Sequence, residues 1–174
     1  AGGVGLNAIQ GARIAGARRI VAVDRIQQKL QIAKEFGATD FVLAIGSEPW
    51  QRAWQALGRG ADAVFVTVGA SAAYKTATKY LAPTGKVIMV GMPKAGDFSS
   101  YDPGIMASLN QGMIGSKMGN VVIQRDIPWM VDLYQQGRLK LDELISGRWQ
   151  LEKINAAIAD TKSGNARRNV IVFD

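Results

Sequence analysis

Gly2-Gly3-Val4-Gly5, running into the Ala- and Ile-rich stretch Leu6 to Ala15 and then into Ile20-Val21-Ala22-Val23-Asp24, is the part of this sequence on which the fold turns. Four apolar residues in a row, mostly β-branched and with no polar alternation, predict a strand buried on both faces. The glycines ahead of Leu6 open a helix. Gly2 and Gly5 fit the second and third glycines of G-x-G-x-x-G, whose first would stand just before Ala1. A residue without Cβ lets the backbone approach a pyrophosphate, and the helix that follows aims free N–H groups and its positive dipole end at the anion. Gly5 allows close packing of helix on strand. The plainer reading of the same residues is a tight glycine turn.

Asp24 bears on that choice. It closes the strand 19 residues after Gly5. A dinucleotide-binding βαβ unit places an acid there to accept from the adenosine ribose hydroxyls, and a carboxylate at that point repels the 2′-phosphate of NADP, which favours NAD. Its competing role is to cap the next helix, with Gln27 completing a capping box.

Outward from this stretch, strand and helix patterns alternate. Ile26, Leu30, Ala33 and Gly37 fall at helical spacing, with Gly37 as the stop. Phe41 to Leu43 reads as a strand, Pro49 to Leu57 as a helix, Ala63 to Val68 as a strand, Ser71 to Leu81 as a helix and Lys86 to Val90 as a strand. Such alternation indicates a parallel sheet with crossover helices. Lys94 to Pro103 reads as a loop, Gly112 to Met118 as a strand, and Asp126 to Gln136 as a helix capped by Asp126 with Pro128 in its first turn. Ile145 to Trp149, Leu151 to Thr161 and Val170 to Phe173 read as strand, helix and strand.

Composition bounds the chemistry. The chain has 174 residues, 48% of them hydrophobic, enough for one domain with a full core. It holds neither Cys nor His, so disulfides, thiolate or imidazole metal sites and Cys or His catalysis are excluded within it. No apolar run approaches the ~18 residues of a membrane span. The net charge of +7 is scattered among acids with no nucleic-acid motif, so no nucleic-acid partner is expected. The tryptophans at 50, 54, 129 and 149 stand at spacings that suit core packing. A glycine-rich turn with no strand or Met ahead of it is what a chain cut at its N-terminus would show.

The sequence resembles the medium-chain, zinc-type alcohol dehydrogenases. Gly2 to Asp24 is similar to their first cofactor-binding βαβ, and Lys34-Glu35-Phe36-Gly37-Ala38-Thr39-Asp40 to their A-x-x-x-G-A segment. Gly85-Lys86-Val87-Ile88-Met89-Val90-Gly91-Met92-Pro93 looks like their last strand and loop before the dimer region. The run Asp126-Ile127-Pro128 through Leu133-Tyr134-Gln135-Gln136-Gly137-Arg138-Leu139-Lys140-Leu141-Asp142-Glu143-Leu144-Ile145 is the most specific match, with Leu151 to Asn155 and Ser163 to Arg168 completing it. The likeness runs end to end.

That resemblance implies a Rossmann-type doubly wound parallel sheet over residues 1–118, lacking its first strand, which is the central one of a 3-2-1-4-5-6 order. Residues 119–174 are then an α+β tail, docked on a catalytic domain outside this chain. It also implies roles. Gly2, Gly3, Val4 and Gly5 would form the pyrophosphate turn, with Gly3 and Val4 offering backbone N–H groups. Asp24 and Lys29 would hold the adenosine ribose, and Thr67 and Val68 would line the adenine side. Val90 and Met92 would contact the nicotinamide end, Ser116 and Met118 would close over its amide, and Arg168 would reach back to the pyrophosphate. The cofactors implied are NAD and, in the intact enzyme, a zinc ion whose ligands lie elsewhere. The partners implied are an alcohol or aldehyde substrate and a second or further copies of the protein, as homodimer or homotetramer, with no membrane. The expected location is the cytoplasm. Two other readings stand beside this one. A zinc-free, NADPH-using quinone or enone reductase of the same superfamily is kept open by Arg25. A nucleotide-sensing module is weakened by the tail from Asp126 to Phe173. The substrate itself is not legible.

Overall fold

The computed structural model describes residues 1–164 and 166–173. Asn165, inside the run that carries the resemblance at the C-terminal end, lies outside them. The elements follow in order: α1 (Gly3–Ile14), β1 (Val21–Asp24), α2 (Gln27–Glu35), β2 (Asp40–Leu43), α3 (Pro49–Leu57), β3 (Ala61–Val66), α4 (Ser71–Ala77), β4 (Leu81–Met89), α5 (Pro103–Ser108), β5 (Gly112–Gly115), α6 (Ile123–Gln135), β6 (Ile145–Gln150), α7 (Ile154–Ser163) and β7 (Arg168–Val172). Every strand pairing is parallel. The fold is the expected α/β architecture, and its strands fall into a β1–β2 pair, a β3–β4–β5 sheet and a β6–β7 pair. The first two groups are the two halves of a 3-2-1-4-5-6 order. Among the described residues β1 pairs only with β2, and β3 only with β4, so each keeps one free edge.

Two apolar cores match the two halves. Leu6 and Ile9 of α1, Ala22 of β1, and Leu30, Ala33 and Phe36 of α2 and its end form one, and Leu144 completes it from far along the chain. Val66, Tyr74, Ala77, Leu81 and Val87 form the other. Leu144 reaches the first core because the segment before it is tied to α1 and α2. The fully buried Gln10 donates from Nε2 to the Lys140 carbonyl (3.0 Å) and accepts from the Lys140 N–H through Oε1 (2.7 Å). The Lys140 ammonium donates to the Glu35 carbonyl at 2.8 Å, and Arg13 donates to the Arg138 carbonyl. A buried amide with both ends satisfied carries none of the desolvation cost that an unpaired one would.

The entry to β1 is held by Arg19. It donates to both carboxylate oxygens of Asp40, at 2.8 and 2.5 Å, and to the Ala56 carbonyl at the end of α3. These hydrogen bonds hold the Asp40 carboxyl below the usual carboxylate range.

Several boundaries differ from the sequence reading. Helix α1 begins at Gly3 rather than Leu6, so the glycine turn is itself the first turn of the helix. The helix expected over Ser71–Leu81 gives way after Ala77 to a 3₁₀ turn, Thr78–Tyr80, and β4 already starts at Leu81, running through Pro83 and Gly85. The strand expected over Gly112–Met118 stops at Gly115, whose register partner Met89 is the last residue of β4. Helix α6 starts at Ile123. Asp126 is therefore not its cap but sits inside the first turns, reaching back to accept from the Val122 N–H at 2.8 Å. Helix α5, unforeseen, is capped by Asp102, which accepts from the Ile105 N–H at 3.1 Å. The expectation that all four tryptophans pack in the core is corrected. Trp54 and Trp129 are exposed, because the apolar side of α3 faces a groove and most of α6 faces solvent.

Thr84 has a φ of 65°, a left-handed conformation in which a β-branched side chain crowds its own backbone. Its N–H is engaged with the Leu109 carbonyl at 2.8 Å, which holds it there. Thr84→Gly keeps that hydrogen bond and removes the crowding, worth about 1–2 kcal/mol, against a backbone-entropy cost of about 0.5–1 kcal/mol. The expected outcome is a gain of roughly 0.5–1 kcal/mol in denaturant unfolding. Thr84→Val, equally branched, should give no such gain.

Candidate functional site

Most of the residues singled out by sequence follow the carboxyl ends of β1, β3, β4 and β5, and Arg168 begins β7. Helix α1 points its N-terminus into this edge. Its N-cap is Gly2, no side chain caps it, and no acid stands in its first turn. The first intrahelical bond runs from the Leu6 N–H to the Gly2 carbonyl at 2.8 Å, which leaves the N–H groups of Gly3, Val4 and Gly5 outside the helical ladder. Uncapped N–H groups at the positive end of a twelve-residue helix suit an anion.

Neighbouring backbones come close on three sides. A Cβ at Gly5 would stand 3.2 Å from the Thr67 hydroxyl, which places Thr67 beside the first turn of α1. A Cβ at Gly91 would lie 2.4 Å from the Val68 carbonyl, so the loops that follow β3 and β4 run backbone against backbone and bring Val68, Val90 and Met92 together. Tyr74 donates its hydroxyl to the Gly91 carbonyl and fastens that loop, and burial pushes its phenol up, so it stays a donor. Val90 and Gly91 both donate to the Val66 carbonyl, at 3.1 and 2.8 Å. Ser116 joins the same edge through its N–H to the Met89 carbonyl at 2.9 Å. The side chains of Val4, Val68 and Met92 stay exposed, so this edge presents a shallow apolar lining over a floor of backbone.

Asp24 ends β1 and does not cap α2, whose N-cap is Ile26 with no side-chain cap. Its Oδ1 accepts from the Ile26 N–H at 3.0 Å, and its Oδ2 takes the Ala1 ammonium. The Ile26 N–H and the charge of Lys29 both favour its ionised form. Lys29 therefore stands on the Asp24 side of the edge, with its ammonium also close to Gly164. Met118 opens a turn in which Met118, Gly119 and Asn120 all have positive φ, and its side chain is exposed.

Arg168 begins β7 with its side chain exposed, and the contact to α1 is made by its neighbour. The Arg167 carbonyl would be 2.5 Å from a Cβ on Gly3. Arg167 is anchored in turn by its N–H to the Ser146 hydroxyl (3.0 Å) and its Nε to the Glu143 carbonyl (3.1 Å). Sequence reasoning missed Arg167, Tyr74 and Gln10. The first acts through its carbonyl, which every residue has, and the other two act across separations that leave no local pattern. Among the described residues no group of three or more Cys, His, Asp or Glu stands where it could hold a metal ion.

The sequence signature of zinc-binding dehydrogenases matches residues 3–136. The chain belongs to this zinc-binding dehydrogenase family. It is 32% identical over 174 residues to the NDMA-dependent alcohol dehydrogenase of Amycolatopsis methanolica, covering 98% of this chain and 47% of that protein. It is 32% identical over 181 residues to the S-(hydroxymethyl)glutathione dehydrogenase of Saccharomyces cerevisiae, covering 99% of this chain and 46% of that protein. The crystal structure of benzyl alcohol dehydrogenase from Acinetobacter calcoaceticus superposes with a TM-score of 0.94 at 28% identity, over 100% of this chain and 48% of that one. The chain thus spans about half the length of the curated relatives it matches. The resemblance to alcohol dehydrogenases holds in both sequence and fold.

The Gly3 contact separates a structural role from a merely flexible one. Gly3→Ala should destabilise the protein by about 1–3 kcal/mol, because the Arg167 backbone must move. The gain in helix propensity, at most about 1 kcal/mol, does not offset this. Gly2→Ala, where a Cβ meets nothing within 4 Å, should be near neutral. Urea unfolding of the two variants in parallel checks the pair.

Proposed function

We propose that this chain forms the dinucleotide-binding part of an oxidoreductase that moves a hydride between an alcohol or aldehyde and NAD. The observation that carries the reading is the pairing of an uncapped α1 N-terminus with Asp24 and Lys29 at the end of β1, one site suited to a pyrophosphate and the other to ribose hydroxyls. The alcohol dehydrogenase relatives support the reaction class. In the whole enzyme NAD supplies the hydride acceptor. The residues of this chain bind and orient it. Gly3 and Val4 donate N–H groups to phosphate oxygens. Asp24 accepts from the ribose while Lys29 balances its charge. Thr67 and Val68 line one side, and Val90, Met92, Ser116 and Met118 close the nicotinamide end. Arg168, one residue from the carbonyl that touches Gly3, reaches the pyrophosphate. Zinc assistance belongs to the whole enzyme in this reading, with no ligand from the described residues.

The architecture proposed for the whole protein follows from its free surfaces. A strand outside this chain fits between β1 and β3, each of which has an unused edge. The division at residue 118 separates the dinucleotide-binding half from a tail that docks on a catalytic domain. The exposed Ile127, Trp129 and Val131 of α6 and Ile154 and Ile158 of α7 form apolar surface of the kind such docking covers. A cytoplasmic location goes with this reading. No described helix is long and apolar enough to cross a membrane.

Asp24 gives the direct test. Asp24→Ala in the full-length enzyme should lower the preference for NAD over NADP by about tenfold, ~1.4 kcal/mol, as read from kcat/KM for each cofactor. The exposed Arg25 next to it is then free to meet a 2′-phosphate. If the unsubstituted enzyme already uses both equally, Asp24 does not select the cofactor, and the NADPH-dependent reductase becomes the better reading.

The proposed oligomer has its own test. Among the described residues β5 pairs only with β4, and Ile114 is exposed on it. Two such edges joined about a two-fold axis would make one continuous sheet, in a homodimer or as half of a homotetramer. Ile114→Lys should shift the full-length protein toward monomer in sedimentation across a concentration series. A monomeric unsubstituted protein removes the proposal.

A further inference from the structure

The loop that follows β4 has little but backbone with which to hold its shape. Gly91 has no side chain and that of Met92 is almost wholly exposed, so neither anchors the loop from within. It is held from outside in three ways. Val90 and Gly91 donate to the Val66 carbonyl, at 3.1 and 2.8 Å. A Cβ at Gly91 would collide with the Val68 carbonyl, and a Cβ at Gly69 with the Met92 carbonyl, so the loops after β3 and β4 rest on each other through a reciprocal pair of glycines. The third hold is the Tyr74 hydroxyl, which reaches over from α4 to donate to the Gly91 carbonyl.

Tyr74 does more here than fill space. Its ring packs in the second core with Val66, Ala77, Leu81 and Val87, and a phenylalanine would fill that core as well. The hydroxyl carries a desolvation cost in a buried position, which the bond to Gly91 offsets. What the hydroxyl adds is therefore at Gly91. None of the peptide bonds is cis, and across a trans peptide the carbonyl and the N–H point in opposite directions. The Gly91 carbonyl held toward Tyr74 turns the next N–H, that of Met92, away from α4. This N–H has no hydrogen-bond partner among the described residues. In the same way the Gly91 N–H held on Val66 turns the Val90 carbonyl away from β3. Both peptide planes that flank Gly91 are set, at a residue type that would otherwise have the widest choice of conformation.

We propose that Tyr74 is a positioning residue for the nicotinamide end of the dinucleotide, acting through the Gly91 carbonyl to fix the backbone of Val90, Gly91 and Met92. The proposal rests on the reading of this edge as a dinucleotide site and adds the group that gives its glycine loop one shape. Tyr74 itself meets no ligand, because its ring is buried and its hydroxyl is spent on Gly91. Without that donor the Gly91 carbonyl turns toward water and carries the Met92 N–H round with it. The pyrophosphate end belongs to the first turn of α1, to which Tyr74 makes no hydrogen bond. Loss of the hydroxyl is therefore felt at one end of the dinucleotide and not at the other.

The test compares NAD with ADP-ribose, which keeps the pyrophosphate and both riboses but lacks the nicotinamide. Both are titrated calorimetrically into the full-length enzyme and its Tyr74→Phe variant. Tyr74→Phe should weaken NAD by about fivefold, the worth of one hydrogen bond, and leave ADP-ribose unchanged. A role confined to stability would lower the urea midpoint and move neither ligand relative to the other. Replacement of Tyr74 by 4-aminophenylalanine, whose ring amine still donates, should restore NAD binding to that of the unsubstituted enzyme, and this comparison stands even if Tyr74→Phe folds poorly. NAD affinity unchanged in Tyr74→Phe, NAD and ADP-ribose weakened equally, or no recovery with the ring amine overturns the proposal. If the unsubstituted enzyme binds neither ligand, the dinucleotide reading fails and this proposal with it. If it binds both and Tyr74→Phe shifts them together, the dinucleotide reading stands and only the role of Tyr74 is lost.

Discussion

Arg167 and Gly3 meet at a point where no Cβ fits, and the whole carboxyl edge depends on that contact. The first turn of α1 must present its N–H groups outward, so its other side has to be held by something that does not consume them. A carbonyl lying against Gly3 does this by shape alone. The carbonyl comes from the residue just before β7, some 164 residues later in the chain, held by Ser146 and Glu143. Gly91 against Val68 solves the same problem on the other side of the edge, with backbone on backbone and a tyrosine hydroxyl fastening the loop. Both contacts leave surface that a flat, charged ligand could approach.

Much of this was readable in advance because it is local. Alternating strands and helices, the glycines that open α1 and the acid that closes β1 are features of neighbouring residues, and periodicity and turn chemistry report on neighbours. The order of elements and the gathering of Thr67, Val68, Val90, Met92 and Ser116 at one edge follow from a parallel sheet, in which every strand ends on the same side. Ends of elements were less legible. Pro83 and Gly85 read as the close of a helix, yet they sit inside β4, in the break of register between the Leu81 and Lys86 pairings to β3, where no ladder hydrogen bond is asked of them. Helix α5 is six residues long and carries no apolar period, so only its cap, Asp102 with Pro103, was there to be noticed.

What was not legible is long-range. Gln10 looks like any polar residue in a helix until its two bonds to the Lys140 backbone are seen. Leu144 belongs to a run recognised only by resemblance, and nothing near it says that its side chain fills the core made by α1 and α2. Spacing places Trp50 and Trp54 on one face of α3, but an apolar face need not be buried by the chain's own core, and Trp54 borders an open groove.

These distant contacts give α1 an unusual position. It supplies Leu6 and Ile9 to the first core, touches the second half of the sheet through Gly5 and Thr67, and is gripped along its length by a segment 130 residues away. β1 and β3 do not pair with each other, so among the described residues the two sheet halves have no common ladder. The helix is one of the parts that bridge them. Its orientation is therefore set jointly by both halves and by the C-terminal segment, none of which determines it alone. On the proposed function, dinucleotide affinity would depend on packing far from the ligand. A change at Lys140 or Leu144 that lets α1 pivot would move the N–H groups of Gly3 and Val4 without altering any residue at the edge itself, and a displacement of about 1 Å is enough to degrade hydrogen bonds to phosphate.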